Sequence, residues 1–182
     1  MNHDSPLPVP FENSYWAVEK NLLAGCYPSS LIAEQKTQML EGLFDVDVRH
    51  IVNLTSDFEW DNQGGYEAEM SQLAAARNQV VVFRQFPIFD GCVPSIEFMQ
   101  DILADIEDAL WSDRGAVYVH CWAGRGRTGT VIGCFLARSG VAIGEDVLTE
   151  MAKLRSRMPN GHKESPETEE QREFVRNWKL NQ

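Results

Sequence analysis

Residues 117–130, reading VYVHCWAGRGRTGT, constrain this chain more than any other stretch. A short apolar run ends in Cys121, a turn holding Gly124 and Gly126 follows at once, and residues 128–139 continue as an apolar helix closed by Gly140. A strand that enters a helix through so tight a loop turns successive backbone N–H groups towards one point at the helix N-terminus, a setting that suits an oxyanion. The two glycines permit positive φ and close backbone approach. Arg127 can fold back and grip two oxygens with its planar fork, a geometry that lysine lacks. The same positive potential favours a thiolate at Cys121, and the thiolate is the nucleophilic form.

The remaining periodicities supply a frame for this loop. Residues 1–13 hold three of the eight prolines and are expected to form an extended arm, with residues 14–182 forming one domain. Two apolar groups around Glu19-Lys20-Asn21 predict a hairpin over 14–28, and a helix is expected over 31–43, stopping near Gly42. HIVNLT (50–55) predicts a buried strand, SDFEWDNQGGY an exposed loop, 67–77 an alanine-rich helix and QVVVFRQFP a second core strand. Pro94 suits the first turn of a helix in which Phe98, Ile102 and Ile106 recur at i, i+4. AVYVHC is the third strand, and helices are expected over 144–157 and 166–180, the latter with Ser165 as N-cap and Pro166 at N1. Strands alternating with helices imply an α/β three-layer sandwich, a central mostly parallel sheet flanked by helices.

Charge narrows the partners. A net charge of −11 disfavours nucleic acid and stable association with an anionic membrane. With no basic-then-apolar leader at residues 1–16 and no apolar stretch of spanning length, a cytoplasmic monomer is expected. The four cysteines lack CxxC spacing and are expected to be free thiols; the four histidines lack metal-ligand spacing, so no metal or other cofactor is expected.

His120-Cys121, five residues, then Arg127-Thr128-Gly129 resembles the signature of the protein tyrosine and dual-specificity phosphatases. The middle of the loop is similar to the lipid-phosphatase version, with Trp122 and Arg125 where that version has lysines. Weaker resemblance runs through LLAGCYP, IVNLT, PIFD and SPETEEQ. The resemblance implies a dual-specificity-phosphatase-like fold. In it His120 steadies the loop, Cys121 forms a phosphocysteine, Thr128 assists its breakdown, and Trp122, Ala123, Gly124, Arg125, Gly126 and Arg127 bind the phosphate. Asp90 in PIFDGCVPS stands where similar phosphatases carry the general acid, with Gly91 leaving its loop free to close; a solvated turn aspartate is the alternative. Gln171 aligns with a family glutamine that positions the hydrolytic water, while Glu167 stands where many classical members have theirs.

Other residues admit two readings. Asp57, Glu59 and Asp61 face substrate or are solvated, and Trp60 and Tyr66 flank a phosphorylated side chain or pack on the domain. Cys134 falls on the helix face that packs on the sheet, whereas Cys26 and Cys92 lie in loops; incidental thiols are expected, with a protective disulfide to Cys121 as the alternative. Three functions compete. They are a protein tyrosine or dual-specificity phosphatase acting on a phosphorylated protein or small phosphomonoester, a phosphoinositide or inositol phosphate phosphatase, and a pseudophosphatase that only binds phosphorylated partners. The complete set Cys121, Arg127, Thr128 and Asp90 favours the hydrolases.

Overall fold

Alternating side chains explain how one strand, β5 (Ala116–His120), holds both halves of the core: Val117 and Val119 face one cluster and Ala116 and Tyr118 the other. The computed structural model describes residues 7–56, 59, 65–112, 114–180 and 182. Expectations for Asp57, Trp60 and Asp61 fall outside these residues. In the sheet, β1 (Ser14–Val18) and β2 (Leu22–Gly25) form the expected antiparallel hairpin. Next to β2 lies β5, then β3 (Val48–Asn53) and β4 (Val82–Gln85), all parallel, giving the order β1-β2-β5-β3-β4. The strand that ends at Cys121 is therefore central.

Helices α1 (Ala33–Asp45) and α2 (Glu67–Ala76) cover one face, burying Leu43 and Met70 against Leu23, Ile51 and Tyr118. The opposite face carries α3 (Ile96–Trp111), α4 (Arg127–Arg138), α5 (Glu145–Arg155) and α6 (Glu169–Asn177). There Ile102, Val131, Ile132, Met151 and Val175 meet Ala24 and Val119. Every residue of α4 from Arg127 to Ala137 is buried. Each large aliphatic side chain so placed contributes about 1.5–3 kcal/mol, which anchors the loop that opens the helix. Helices on both faces of a mainly parallel sheet make the expected three-layer α/β sandwich.

Several boundaries differ from expectation, each for a local reason. Helix α1 runs through Gly42 to Asp45; a Cβ at Gly42 would stand 3.0 Å from the Pro10 carbonyl oxygen, so the glycine makes room for the N-terminal segment. That segment lies against the domain: the Trp16 indole donates to the Pro8 carbonyl at 3.0 Å, and the Phe11 ring meets Tyr118 edge-on. Strand β4 is a short edge strand, with Arg84 and Gln85 exposed, instead of a core strand. Ser95 caps α3, its hydroxyl accepting from Phe98 N at 3.1 Å, so Pro94 precedes the helix instead of occupying its first turn. Helix α6 starts three residues later than Pro166 because Thr168 is its cap, forming a capping box with Gln171. Ser165, the expected cap, donates instead to the Arg125 carbonyl at 2.8 Å.

Candidate active site

Cys121 leaves the C-terminal end of β5 and is buried among the core residues. The loop then turns back beside β2, where Tyr27 N donates to the Trp122 carbonyl at 3.0 Å. Gly124 has φ of 68°, and a Cβ there would stand 2.4 Å from the Gly25 carbonyl carbon and 2.6 Å from Cys26 N. Conformation and space both demand glycine. Gly126 does not adopt the positive φ expected of it; its φ is −73°, and its requirement is space, since a Cβ would stand 3.1 Å from Gln171 Oε1. Among the described residues no N–H from Trp122 to Gly126 donates to a protein acceptor. These donors and the N-terminus of α4 line the loop that the sequence suggests as an anion cradle.

Arg127 is the first residue of α4 and is fully buried. Its Nη1 donates to Glu59 Oε2 at 2.6 Å and to the Ile88 carbonyl at 3.1 Å, and its Nη2 lies 2.8 Å from Glu59 Oε1 and 3.0 Å from Asp90 Oδ1. Both fork nitrogens are thus held in one plane by a bidentate carboxylate. Burial raises the Glu59 carboxyl, but hydrogen bonds from Arg127 and from the Ser56 N–H and hydroxyl outweigh it and bring it down to about 2. Glu59 is therefore ionised throughout the physiological range, and its role is to hold the arginine. Of the two roles read for it from sequence, facing substrate or solvation, neither describes this contact. The Ser56-x-x-Glu59 spacing signals the local turn, in which Ser56 N and Oγ both donate to Glu59 Oε2 at 2.9 Å.

His120 is buried beneath the loop. Its Nδ1 faces the Cys121 carbonyl at 3.4 Å, and its Nε2 lies 2.7 Å from the Tyr66 hydroxyl. A carbonyl only accepts, so Nδ1 carries the proton and Nε2 accepts from Tyr66. Tyr66 is wholly buried and ringed by Tyr27, Phe83 and His120, which removes it from any substrate-flanking role. Burial pushes the His120 imidazole down to about 3; the Cys121 carbonyl opposes this and the Arg127 charge adds to it. The unfolded chain protonates this residue near its ordinary value of about 6.5. Its contribution to stability is therefore complete above that value and falls as pH drops towards 3, by up to about 1.4 kcal/mol per pH unit. Urea midpoints near pH 7.5 and near pH 5.5 should show this loss, and His120→Asn should flatten the difference.

The other predicted residues are gathered round the same loop. Thr128 is buried, and its Oγ1 has no partner among the described residues, leaving a hydroxyl free beside the cradle. Asp90 is 78% exposed on the loop before α3 and reaches the site through Arg127. Gly91, with φ of 75°, shapes that turn, and its carbonyl accepts from Thr168 Oγ1 at 3.3 Å. Gln171 is wholly buried: its Oε1 accepts from Glu167 N and Thr168 N at 3.1 and 3.2 Å, and its Nε2 donates to the Cys92 carbonyl at 3.1 Å. The amide thus ties the Asp90 loop to the start of α6 and keeps one N–H for other work. Trp122 is 40% exposed and leans on Tyr27, its ring centroid 5.5 Å away, while Ala123 is exposed beside it. Arg125 pairs with Glu167.

The remaining thiols divide by environment. Cys134 is buried in α4 against the sheet, as expected, and burial raises its thiol. Cys26 is half-buried just beyond β2, where burial pushes it up to about 11, and Cys92 is exposed. Among the described residues no group of three His, Cys, Asp or Glu side chains is placed to hold a metal ion.

A family model described as PTP-SAK, the DSP-PTPase phosphatase domain of Swiss Army Knife proteins, matches residues 19–175. The chain belongs to this DSP-PTPase family. Among curated relatives, the mouse protein tyrosine phosphatase domain-containing protein 1 is 32% identical over 127 residues, 68% of this chain and 16% of its own length. The Dictyostelium discoideum phosphatidylinositol 3,4,5-trisphosphate 3-phosphatase cnrN is 34% identical over 86 residues, 46% of this chain and 13% of its own length. The chain thus spans less than a fifth of each of these two relatives. Among solved structures, Tk-PTP in its active form has a TM-score of 0.66 at 24% identity, over 91% of this chain and 95% of that one. PTPMT1 in complex with PI(5)P has a TM-score of 0.67 at 18% identity, over 91% and 94%. These likenesses carry the DSP-PTPase fold across nearly the whole chain.

Proposed function

We propose that this DSP-PTPase domain hydrolyses phosphomonoesters through a phosphocysteine at Cys121 and acts on phosphotyrosine or on both classes of phosphorylated protein side chain. The observation that carries this reading is the Arg127 fork, fixed by Glu59 at the N-terminus of α4 beside a cysteine and a run of unengaged loop amides. In the proposed reaction the Cys121 thiolate attacks phosphorus as the P–O bond to the leaving group breaks, and the Asp90 carboxylic acid protonates that oxygen. A water then gives its proton to the Asp90 carboxylate and forms the second P–O bond as the S–P bond breaks, which returns the thiolate and releases phosphate. Arg127 and the loop amides stabilise the equatorial oxygens in both steps. Binding of phosphate replaces Asp90 on Arg127 Nη2, freeing the carboxyl for its first task. Trp122 offers an aromatic platform at the mouth for the ring of a phosphotyrosine.

Asp90→Asn tests the acid assignment. The kcat/KM of an alkyl phosphate, which reports the steps up to phosphocysteine formation, should fall by about 10²-fold or more, with a smaller loss in kcat/KM for an aryl phosphate whose leaving group needs no proton. Equal losses with both substrates would remove Asp90 from that role.

A second reading, hydrolysis of an inositide, is favoured by Arg125, a cation within the loop, and by relatives named as phosphatidylinositol 3,4,5-trisphosphate 3-phosphatases. A panel of phosphotyrosine peptide, phosphothreonine peptide and soluble inositol phosphates, assayed under reducing conditions, separates the two. Preference for the peptides supports the first reading and preference for inositol phosphates the second. Phosphate binding with no turnover of any substrate would leave a binding protein. The proposed setting is the cytoplasm, where a net charge of −11 works against capture by anionic membranes.

A further inference from the structure

The one cation in the loop apart from Arg127 is already engaged. Arg125 Nη2 pairs with Glu167 Oε1, and the two side chains are 22% and 43% exposed. Glu167 is not a chance visitor from a loose loop. Its N–H donates to Gln171 Oε1 at 3.1 Å, its carbonyl accepts from Arg172 Nη1 at 2.9 Å, and its Cβ lies 3.4 Å from where a Cβ on Gly126 would stand. The preceding Ser165 is tied to the Arg125 carbonyl itself. The Ser165 hydroxyl on the Arg125 carbonyl and the bonds at the Glu167 N–H and carbonyl therefore hold the Glu167 backbone and Cβ beside the rim of the loop, with the carboxylate within reach of Arg125.

We propose that Glu167 is a specificity-determining residue that reserves Arg125 and excludes a second phosphate beside the one being hydrolysed. The proposal rests on the phosphatase reading above and deepens it: the site takes a phosphate whose neighbouring atoms carry no further anionic group. An isolated Arg125 would attract a second phosphate on an adjacent carbon of the substrate. With Glu167 in place that phosphate meets a carboxylate of its own sign, carried on a held backbone, and must also separate an existing ion pair. The pair is partly exposed and therefore weak by itself, so repulsion by the carboxylate beside the rim is the larger effect. The carboxylate does not touch the reacting atoms; it acts on what can lie next to them.

The test compares an inositol monophosphate with an inositol bisphosphate whose phosphates are on adjacent carbons, each as a competitive inhibitor of aryl phosphate turnover, and by calorimetry if turnover is absent. The wild-type protein should bind the bisphosphate no more tightly than the monophosphate. Glu167→Gln, which keeps the backbone bonds, should improve the bisphosphate-to-monophosphate affinity ratio by about tenfold, and adding Arg125→Ala should abolish that gain. A wild-type preference of tenfold or more for the bisphosphate, or an unchanged ratio in Glu167→Gln, would overturn the proposal. A role in orienting the hydrolytic water would change turnover of all substrates alike and leave the affinity ratio untouched. Absence of aryl phosphate turnover in the wild type would count against the phosphatase reading, and the calorimetric ratio would still decide the role of Glu167.

Discussion

Replacing Cys121 by serine should lower turnover of an aryl phosphate by at least about 10³-fold, because an alcohol at this position remains protonated and attacks phosphorus poorly. Binding of a phosphate analogue should persist. The exchange of sulfur for oxygen leaves the glycine turn, the α4 N-terminus and the Glu59-held Arg127 in place. Steady-state kinetics with para-nitrophenyl phosphate, paired with calorimetric binding of vanadate, would show the separation. Turnover within tenfold of the wild type would remove Cys121 as nucleophile, whereas loss of binding with loss of turnover would show that the substitution had damaged the loop.

Arg127→Lys should lower kcat/KM by about 10²–10³-fold even though the charge is kept. The arginine engages Glu59 with both terminal nitrogens, at 2.6 and 2.8 Å, and also reaches the Ile88 carbonyl and Asp90. One ammonium cannot lie in the plane of the Glu59 carboxylate and also present two parallel donors to the equatorial oxygens. The loss should appear mainly in kcat, since those donors act most strongly as negative charge develops. A change confined to KM would show that the fork only binds the ground state.

The centre of this molecule was legible in the sequence because its signals are local. The strand ending at Cys121, the glycine turn and the apolar α4 lie within one short segment, and burial on both sides of the sheet leaves no other arrangement for them. What escaped depends on distant contacts. Glu59 reaches Arg127 across 68 positions, and Ser56-x-x-Glu59 indicates a turn without saying what its carboxylate meets. Ser165 and Thr168 are equally good caps on paper; the choice falls to Thr168 because the Ser165 hydroxyl is drawn to a loop carbonyl 40 positions away. Tyr66 follows an acidic, glycine-containing loop, which suggests exposure, yet it is buried and its hydroxyl donates to His120 Nε2. Strand β4 begins at the last residue of a valine run, 80–82, suited to a core strand, but strand order makes it an edge, and strand order is not a local property.

The central claim is a covalent phosphoryl group on Cys121, and it can be read directly. Asp90→Asn should still form the intermediate from para-nitrophenyl phosphate, whose leaving group needs little help, but should break it down slowly for want of a base. Protein quenched during turnover, digested and analysed by mass spectrometry should carry one phosphoryl group on the peptide from Gly115 to Arg125, located at Cys121 and absent from Cys121→Ser. Sustained turnover with that peptide unmodified at every quench time, or with the phosphoryl group on another residue, would contradict the account.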